Sequence, residues 1–256
     1  MKPIIAFNTA NLVAHYSNYH FSMTDWGKEA AKVTAQTGVP EWTDICRKIR
    51  ACGYDAIEVW IALVEKCATD EARAADFARI MKENHLAPIA MGASLNDTTA
   101  TICKRFGIPA VCGGYWGADC ATSVRVMRET GIHFNFENHP EKSVEEIRKQ
   151  IGYGEDGLAL AVDIGWLGTQ GLNAPEAVRE LGRLIRHVHL KDVHAPGKHE
   201  TVALGTGCTD IPGVIRELKA IGYDGVLSWE DEPEDRNPFD IAAQMREYIL
   251  REWSKR

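Results

Sequence analysis

The sequence lacks an ordered set of cysteines. Its seven cysteines are odd in number, scattered along the chain and without a CxxC pair. A disulfide framework or a zinc ribbon needs paired or regularly spaced cysteines, so neither is expected. The chain is therefore expected to work in a reducing cytoplasm.

Basic clusters and long apolar runs are also missing. The formal net charge is −7 and no Lys- or Arg-rich block occurs, so neither a nucleic acid nor an anionic membrane surface is expected as a partner. No apolar run approaches the roughly 18 residues that cross a bilayer. The first residues, Met1–Asn8, turn polar too early for a signal peptide. These absences favour a soluble enzyme.

What is present is a regular alternation of short apolar runs and amphipathic stretches. The 256 residues, 45% of them hydrophobic, suffice for one barrel-sized domain with a large core. The apolar runs predict eight strands: Pro3–Asn8, Asp55–Trp60, Ala87–Gly92, Pro109–Gly113, His133–Glu137, Leu158–Asp163, Arg186–Lys191 and Gly225–Glu230. The amphipathic stretches predict helices near 41–52, 70–84, 97–106, 119–130, 143–151, 174–183, 210–221 and 238–252.

Eight strands that alternate with helices predict a parallel sheet, and the repeat favours a single closed (β/α)8 TIM barrel over residues 1–256. An open, doubly wound sheet is the alternative, but the GxGxxG fingerprint of its commonest form is missing after the first strand. The longest connection, 9–40, is rich in aromatic residues. We expect it to form a lid over the barrel mouth, or else to pack against a neighbouring subunit.

Four consecutive predicted strands end in a side chain that can bind a metal ion. The fifth to eighth strands end, in order, in Glu137, Asp163, His189 and Glu230. In such barrels the strand ends converge on the active site. One charged strand end is usually just solvated, but three carboxylates and an imidazole together suit one divalent ion such as Mn, Mg, Co or Zn. Strand alternation selects Glu230 over its neighbours Asp231 and Glu232.

Several short motifs occur in a fixed order along most of the chain, from Gly53-Tyr54-Asp55 onward. They are Glu137-Asn138-His139-Pro140, Asp163-Ile164-Gly165, His189-Leu190-Lys191-Asp192, Leu204-Gly205-Thr206-Gly207, and Gly222-Tyr223-Asp224-Gly225 running on to Ser228-Trp229-Glu230. As an ordered set they resemble the xylose isomerase-like barrel superfamily of sugar isomerases and epimerases.

The resemblance implies a single-metal enzyme with a carbohydrate-like substrate. It implies that Glu137, Asp163, His189 and Glu230 hold the ion, and that Glu137 and Glu230 also form the catalytic acid–base pair. The implied reaction is isomerisation or epimerisation of a sugar or keto-sugar through an enediolate. One glutamate takes a proton next to the carbonyl and the other returns one. The resemblance also implies a homo-oligomer.

Two positions depart from the family pattern. Ketose epimerases of this family carry a His three residues after the strand-six Asp and an Arg six residues after the strand-seven His, and these places hold Trp166 and Ala195 here. A dehydratase or lyase acting on a keto-sugar or keto-inositol is therefore the alternative, because the same enediolate can expel a β-leaving group. An AP-endonuclease-like repair enzyme would need more His ligands, and a non-enzymatic sugar-binding barrel would have lost a ligand, so both are disfavoured.

Five further residues near the strand ends are expected to bind the substrate: Glu58, Trp60, His139, Trp166 and Lys191. Three of them have a structural alternative. Trp60 can serve as packing, Lys191 can pair with a neighbouring carboxylate, and His139 can orient the loop after Glu137. Glu58 is expected at the rim of the barrel, where it could bind a sugar hydroxyl.

Two other features are interpreted structurally. His187 lies two residues before His189, on the same face of the strand and one layer deeper, so it is expected to support the site from the core. The Gly205-Thr206-Gly207 segment could hold an anion before the next helix, but a plain turn is favoured.

Overall fold

A computed structural model describes residues 3–255, so Met1, Lys2 and Arg256 of the predicted domain lie outside the described residues. Within that range, the barrel strands are β1 Ile4–Asn8, β2 Ala56–Trp60, β3 Ala87–Gly92, β4 Ala110–Gly113, β5 His133–Glu137, β6 Ala159–Asp163, β7 Ile185–Leu190 and β10 Val226–Trp229. Two short strands, β8 Asp192–Val193 and β9 Thr201–Val202, pair antiparallel outside the barrel. Each of the eight predicted barrel strands is present, with its ends displaced by one residue at most.

The sheet closes on itself. The strand order is β1-β10-β7-β6-β5-β4-β3-β2, and β1 pairs in parallel with both β2 and β10. Ala6 of β1 therefore has Ala56 as its partner on one side and Ser228 on the other. This closure confirms the single (β/α)8 TIM barrel and excludes the open sheet. It also places the ends of β5, β6, β7 and β10 side by side.

The helices alternate with the barrel strands. Within residues 3–255 they are α1 Trp26–Gln36, α2 Val39–Ala51, α3 Ile61–Val64, α4 Glu71–Glu83, α5 Asp97–Phe106, α6 Cys120–Thr130, α7 Val144–Gln150, α8 Ile164–Thr169, α9 Ala174–Leu181, α10 Ile211–Ala220 and α11 Phe239–Ser254. The eight predicted helices correspond to α2, α4 to α7 and α9 to α11. The sequence did not predict α1, α3 and α8. No helix among the described residues is long and apolar enough to cross a bilayer.

The predicted packing face of α2 is present. Trp42, Ile45 and Ile49 are buried, and the Trp42 ring stacks on Phe77 of α4 with centroids 5.2 Å apart. The indole N–H of Trp42 donates to the Phe77 carbonyl at 3.2 Å, so this large side chain buries its polar atom with a partner. The contact fixes α2 against α4 on the outside of the barrel.

The connection 9–40 is largely helical. Three 3-10 turns, Thr9–Leu12, His15–Ser17 and Met23–Asp25, precede α1, and α1 packs on α3. Glu29 and Val33 of α1 are buried one turn apart, the spacing of a helix with one packed face. This segment is therefore an ordered wall beside the C-terminal ends of β1 and β2.

A single buried carboxylate anchors the loop between β8 and α10. The two oxygens of Asp192 accept hydrogen bonds from the backbone N–H groups of Val193, Gly205, Gly207 and Thr209 at 2.9 to 3.1 Å. Any side chain at Gly207 would collide with Asp192, so glycine is required there by close approach. The Gly205–Gly207 segment thus binds a carboxylate of its own chain, which agrees with the structural interpretation of this turn.

We expect Asp192→Asn to lower the free energy of unfolding by about 2–3 kcal/mol, because an amide NH2 group would face backbone N–H donors in a buried site. Urea denaturation measures this change. Asp224→Asn, at an exposed position, is the matched control and should change the stability by less than about 0.5 kcal/mol. An Asp192→Asn chain as stable as the wild type would show that the loop does not depend on this carboxylate.

Candidate functional site

The four predicted metal-binding side chains meet at one point at the barrel mouth. Each comes from the C-terminal end of one of four adjacent strands, and one donor atom from each lies within 4.8 Å of the others. All four side chains are buried, with exposed fractions of 6% or less. The cluster consists of Glu137, Asp163, His189 and Glu230. Neither Asp231 nor Glu232 belongs to it.

The ring of His189 connects the cluster to a second buried layer. Its Nδ1 lies 2.7 Å from Glu137 Oε1 and 2.8 Å from Glu230 Oε2. Its Nε2 lies 3.0 Å from Glu58 Oε1, and His187 Nε2 lies 2.9 Å from the other Glu58 oxygen. Glu58 therefore holds the far side of the imidazole, while Nδ1 faces the two glutamates.

The charge state of Glu58 follows from this arrangement. Burial opposes its ionisation, but His189 and His187 outweigh burial and hold the pKa of the Glu58 carboxyl well below its usual value. An ionised Glu58 accepts a hydrogen bond from Nε2–H of His189, so Nδ1 is the ring nitrogen that would offer its lone pair to a metal ion in exchange for its proton. That lone pair is what a metal ion requires.

Burial also raises the pKa of Asp163 to about 6 and raises that of Glu137, because each carboxylate loses solvation in the barrel interior. Burial acts in the same direction on Glu230, but Lys191 and His189 outweigh it and lower the Glu230 pKa to about 2. The two glutamates of the predicted acid–base pair thus lie in different electrostatic surroundings.

Lys191 compensates part of the negative charge. Its Nζ lies 2.7 Å from Glu232 Oε2, 3.1 Å from Glu230 Oε1 and 3.7 Å from Asp163 Oδ2. Burial disfavours its charge, but Glu230 and Glu232 raise the pKa of Lys191 well above its usual value. The sequence left substrate contact and carboxylate pairing open for this lysine, and the structure shows the pairing.

The cluster has the chemistry of a divalent-cation site. Three carboxylates and one imidazole form the oxygen and nitrogen donor set that Mg, Mn, Co and Zn accept. Oδ2 of Asp163 is buried and has no hydrogen-bond partner among the described residues. Three buried carboxylates this close repel one another unless a cation offsets their charge. The residues therefore fit one divalent ion, and this donor set does not select among the four metals.

Three of the four cluster residues, Glu137, His189 and Glu230, line a cavity of about 730 Å³, and Asp163 is fully buried. Trp60, His139 and Trp166, three of the predicted substrate-binding residues, line the same cavity. The Trp166 ring lies 4.8 Å from that of His139, so the residue at the position of the missing family histidine forms part of the wall. Lys191 is not on the wall.

Glu58 is also placed differently from the sequence-based expectation. Its side chain is fully buried beneath the cluster rather than at the rim. The physical reason is its position in β2, where its side chain points into the barrel and finds both histidines as partners. Contact with a sugar hydroxyl is excluded by this burial, and the side chain orients His189 instead.

Four further cavity residues were missed in the sequence: Asn8, Trp26, Trp116 and Glu232. Asn8 Nδ2 donates to Glu230 Oε2 at 3.2 Å, and Trp26 Nε1 donates to Glu232 Oε1 at 3.1 Å. Asn8 ends β1 and Trp116 follows β4, so the strand-end rule that found the metal cluster could have found both. Trp26 carries no such signal, because only the tertiary fold brings α1 to the barrel mouth.

A family model described as xylose isomerase-like TIM barrel matches residues 46–252. The chain belongs to this family. The matched range covers seven of the eight barrel strands and all four residues of the cluster. The resemblance inferred from the short motifs is thereby confirmed.

The chain is similar to proteins whose names give different reactions. Inosose dehydratase of Clostridium beijerinckii is 27% identical over 147 residues, covering 49% of this chain and 49% of that protein. The chain spans about half the length of the curated relatives it matches. L-ribulose 3-epimerase superposes with a TM-score of 0.71 at 16% identity, covering 99% of this chain and 95% of the epimerase. The zinc-binding IOLI protein gives a TM-score of 0.66 at 18% identity, covering 99% and 98%. At these identities, both structures show a shared fold.

We expect Glu58→Gln to weaken Mn²⁺ binding about 10- to 100-fold although Glu58 does not belong to the cluster, because an amide holds the His189 tautomer less firmly. Isothermal titration of the metal-free chain with Mn²⁺ measures the affinity. Glu200→Gln, at an exposed position, is the control and should bind like the wild type. Unchanged affinity in Glu58→Gln, with normal thermal unfolding, would contradict the orienting role.

Proposed function

We propose that this chain is a divalent-metal-dependent enzyme that moves a proton at the carbon next to the carbonyl of a neutral keto-sugar or keto-cyclitol. The observation that carries the proposal is the convergence of Glu137, Asp163, His189 and Glu230 at one point at the mouth of a closed barrel, where three of the four line a cavity. Buried carboxylates of this kind are costly, so such a cluster is favoured where it binds a cation and performs chemistry.

The four cluster side chains would hold the ion. When bound there, a divalent ion supplies Lewis acidity that stabilises negative charge on a substrate oxygen. Glu137 and Glu230 both reach the cavity and flank Nδ1 of His189 at nearly equal distances. One carboxylate takes the proton from the substrate carbon, and the other delivers a proton to the substrate. Asn8 holds Glu230 in place through its side-chain amide.

The cavity wall favours a substrate without a negative charge. Among the described residues, no lysine or arginine lines it, whereas Glu65, Glu137, Glu230 and Glu232 do. The one lysine near the cluster, Lys191, is already paired with carboxylates. Away from the metal ion, a phosphate or carboxylate on the substrate would find no cationic side chain in the described lining and would be repelled by these glutamates.

Dehydration is the outcome that we propose first. The sequence alone put isomerisation or epimerisation first and dehydration second. The order changes because the curated relatives include several proteins named inosose dehydratase. Trp166 and Ala195 also stand where the family's ketose epimerases carry a His and an Arg. In dehydration, the second carboxylate protonates the hydroxyl that leaves from the carbon beyond the deprotonated one.

Epimerisation or isomerisation is the second candidate. The presence of both Glu137 and Glu230 in the cavity lining supports it, because a two-base reaction needs two carboxylates within reach of the reacting carbon. The TM-score of 0.71 with L-ribulose 3-epimerase shows that the same fold accommodates this outcome.

The segment 9–40 acts as a lid in the proposed enzyme. Trp26 of α1 lines the cavity, and its indole N–H donates a hydrogen bond to Glu232 beside the cluster. Closing a lid excludes water from a reactive carbanion-like intermediate, which is the usual role of such segments. A cytoplasmic location stays a prediction from the sequence, and a homo-oligomer stays an implication of the family resemblance.

Proton exchange in D2O tests the reaction. Metal-stripped chain is incubated with a panel of neutral ketoses, keto-sugars and keto-inositols, with and without Mn²⁺, and followed by proton NMR. We expect Mn²⁺-dependent deuterium uptake next to a carbonyl, reduced at least about 100-fold in Glu137→Gln, because one proton carrier is lost. Glu200→Gln is the control and should exchange like the wild type.

The product separates the two candidates. Loss of water with appearance of a conjugated product indicates dehydration, whereas a stereoisomer of the substrate indicates epimerisation. Binding of Mn²⁺ without exchange on any substrate would contradict the reaction but not the metal site. Absence of both binding and exchange would contradict the whole proposal.

A further inference from the structure

The cavity extends well beyond the metal cluster along an apolar wall. Its volume of about 730 Å³ lies in the upper part of the roughly 300–1,000 Å³ range of ligand pockets. Six apolar lining residues from α1, α3 and the segment directly after β3 form what we call the apolar annex: Trp26, Ala30, Ala31, Ile61, Ala62 and Ala93. The annex and the cluster line one continuous cavity.

The six annex side chains themselves offer almost no hydrogen-bonding capacity, and the polar side chains beside them in the lining include those of Thr34 and Glu65. The six annex side chains contain one polar atom, Nε1 of Trp26, and this atom already donates to Glu232 at 3.1 Å. The Trp26 ring packs edge-on against Trp60 with centroids 5.1 Å apart, so carbon atoms face the cavity on this side. A sugar hydroxyl held against such a wall would lose hydrogen bonds to water without replacement.

Two annex residues, Trp26 and Ala30, share one face of α1 with Thr34. Trp26, Ala30 and Thr34 of α1 are spaced by four residues, and all three line the cavity. The small side chains at Ala30, Ala31 and Ala62 keep the space open. An ordinary helix packed on a barrel fills this space with larger apolar side chains. The alanines therefore leave room for a group from outside the chain.

We propose that the substrate carries an apolar substituent, such as an aryl or branched alkyl group, beside its metal-binding keto-sugar or keto-cyclitol head. The substituent lies in the annex and the head lies at the cluster. This inference rests on the proposed function, because the cluster defines which end of the cavity holds the reacting carbons. The lack of lysine and arginine on the described wall excludes an anionic substituent as the preferred occupant.

Hydroxamate chelators test the annex without requiring turnover. Acetohydroxamate, phenylacetohydroxamate and 4-phenylbutyrohydroxamate share one metal-chelating head and differ in the apolar group. We expect the better phenyl compound to bind the Mn²⁺-loaded chain about 10- to 100-fold more tightly than acetohydroxamate, because a ring leaves water for an apolar wall. A carboxylate on the phenyl ring should remove that gain. Isothermal titration gives each affinity.

Filling the annex should remove the gain selectively. Ala30→Phe, or Thr34→Phe if the first variant folds poorly, should bind acetohydroxamate like the wild type and bind both phenyl compounds no better than acetohydroxamate. Gln36→Phe places the same ring at an exposed position of α1 outside the cavity. It should keep the full gain and is the matched control.

The outcomes distinguish the two proposals. If acetohydroxamate binds but neither phenyl compound binds more tightly, the annex inference is overturned and the metal site stands. If neither Mn²⁺ nor any chelator binds, the proposed function fails and the annex inference with it. If Ala30→Phe instead turns a dimer into a monomer in sedimentation, the annex is an interface between copies of the chain, and the substituent is ruled out.

Discussion

Carboxylates hold the imidazole of His189 from two sides, and the geometry of the barrel mouth depends on these contacts. Glu58 fixes one ring nitrogen from beneath, while the other nitrogen faces Glu137 and Glu230. The arrangement concentrates negative charge in a buried space, and Lys191 offsets only part of it. A divalent cation would offset the remaining negative charge. The buried charges that destabilise the fold therefore also determine what the site can bind.

The barrel places this charge cluster at one end of a cavity whose two ends differ in polarity. Parallel strands bring four side chains from distant parts of the chain to one end of the barrel, and the helical segment after β1 builds a wall opposite them. One end of the cavity is polar and suited to a cation, and the other is apolar and without cationic residues among those described. The proposed substrate must have one group that suits the polar end and another that suits the apolar end. This restricts the possible substrates more than the four-residue cluster does alone.

Much of the fold and of the cluster could be predicted from the sequence, because both follow from local rules. Short apolar runs predicted the strand ends to within one residue, and the rule that barrel active sites lie at strand ends predicted the cluster. Glu58 and α1 show what such rules miss. Side-chain direction alone leaves open whether a strand residue such as Glu58 lies at the rim or beneath it. The aromatic residues of 9–40 suggested a lid loop, so the helical spacing of Glu29 and Val33 was not recognised and α1 was not predicted.

Anomalous scattering from a crystal soaked in Mn²⁺ tests the central claim most directly. The account predicts one strong anomalous peak within bonding distance of Glu137, Asp163, His189 and Glu230, with Nδ1 of His189 turned to the ion and Nε2 still bonded to Glu58. A map with no peak at this point, in which Nδ1 of His189 still bonds to the two glutamates, would contradict the account.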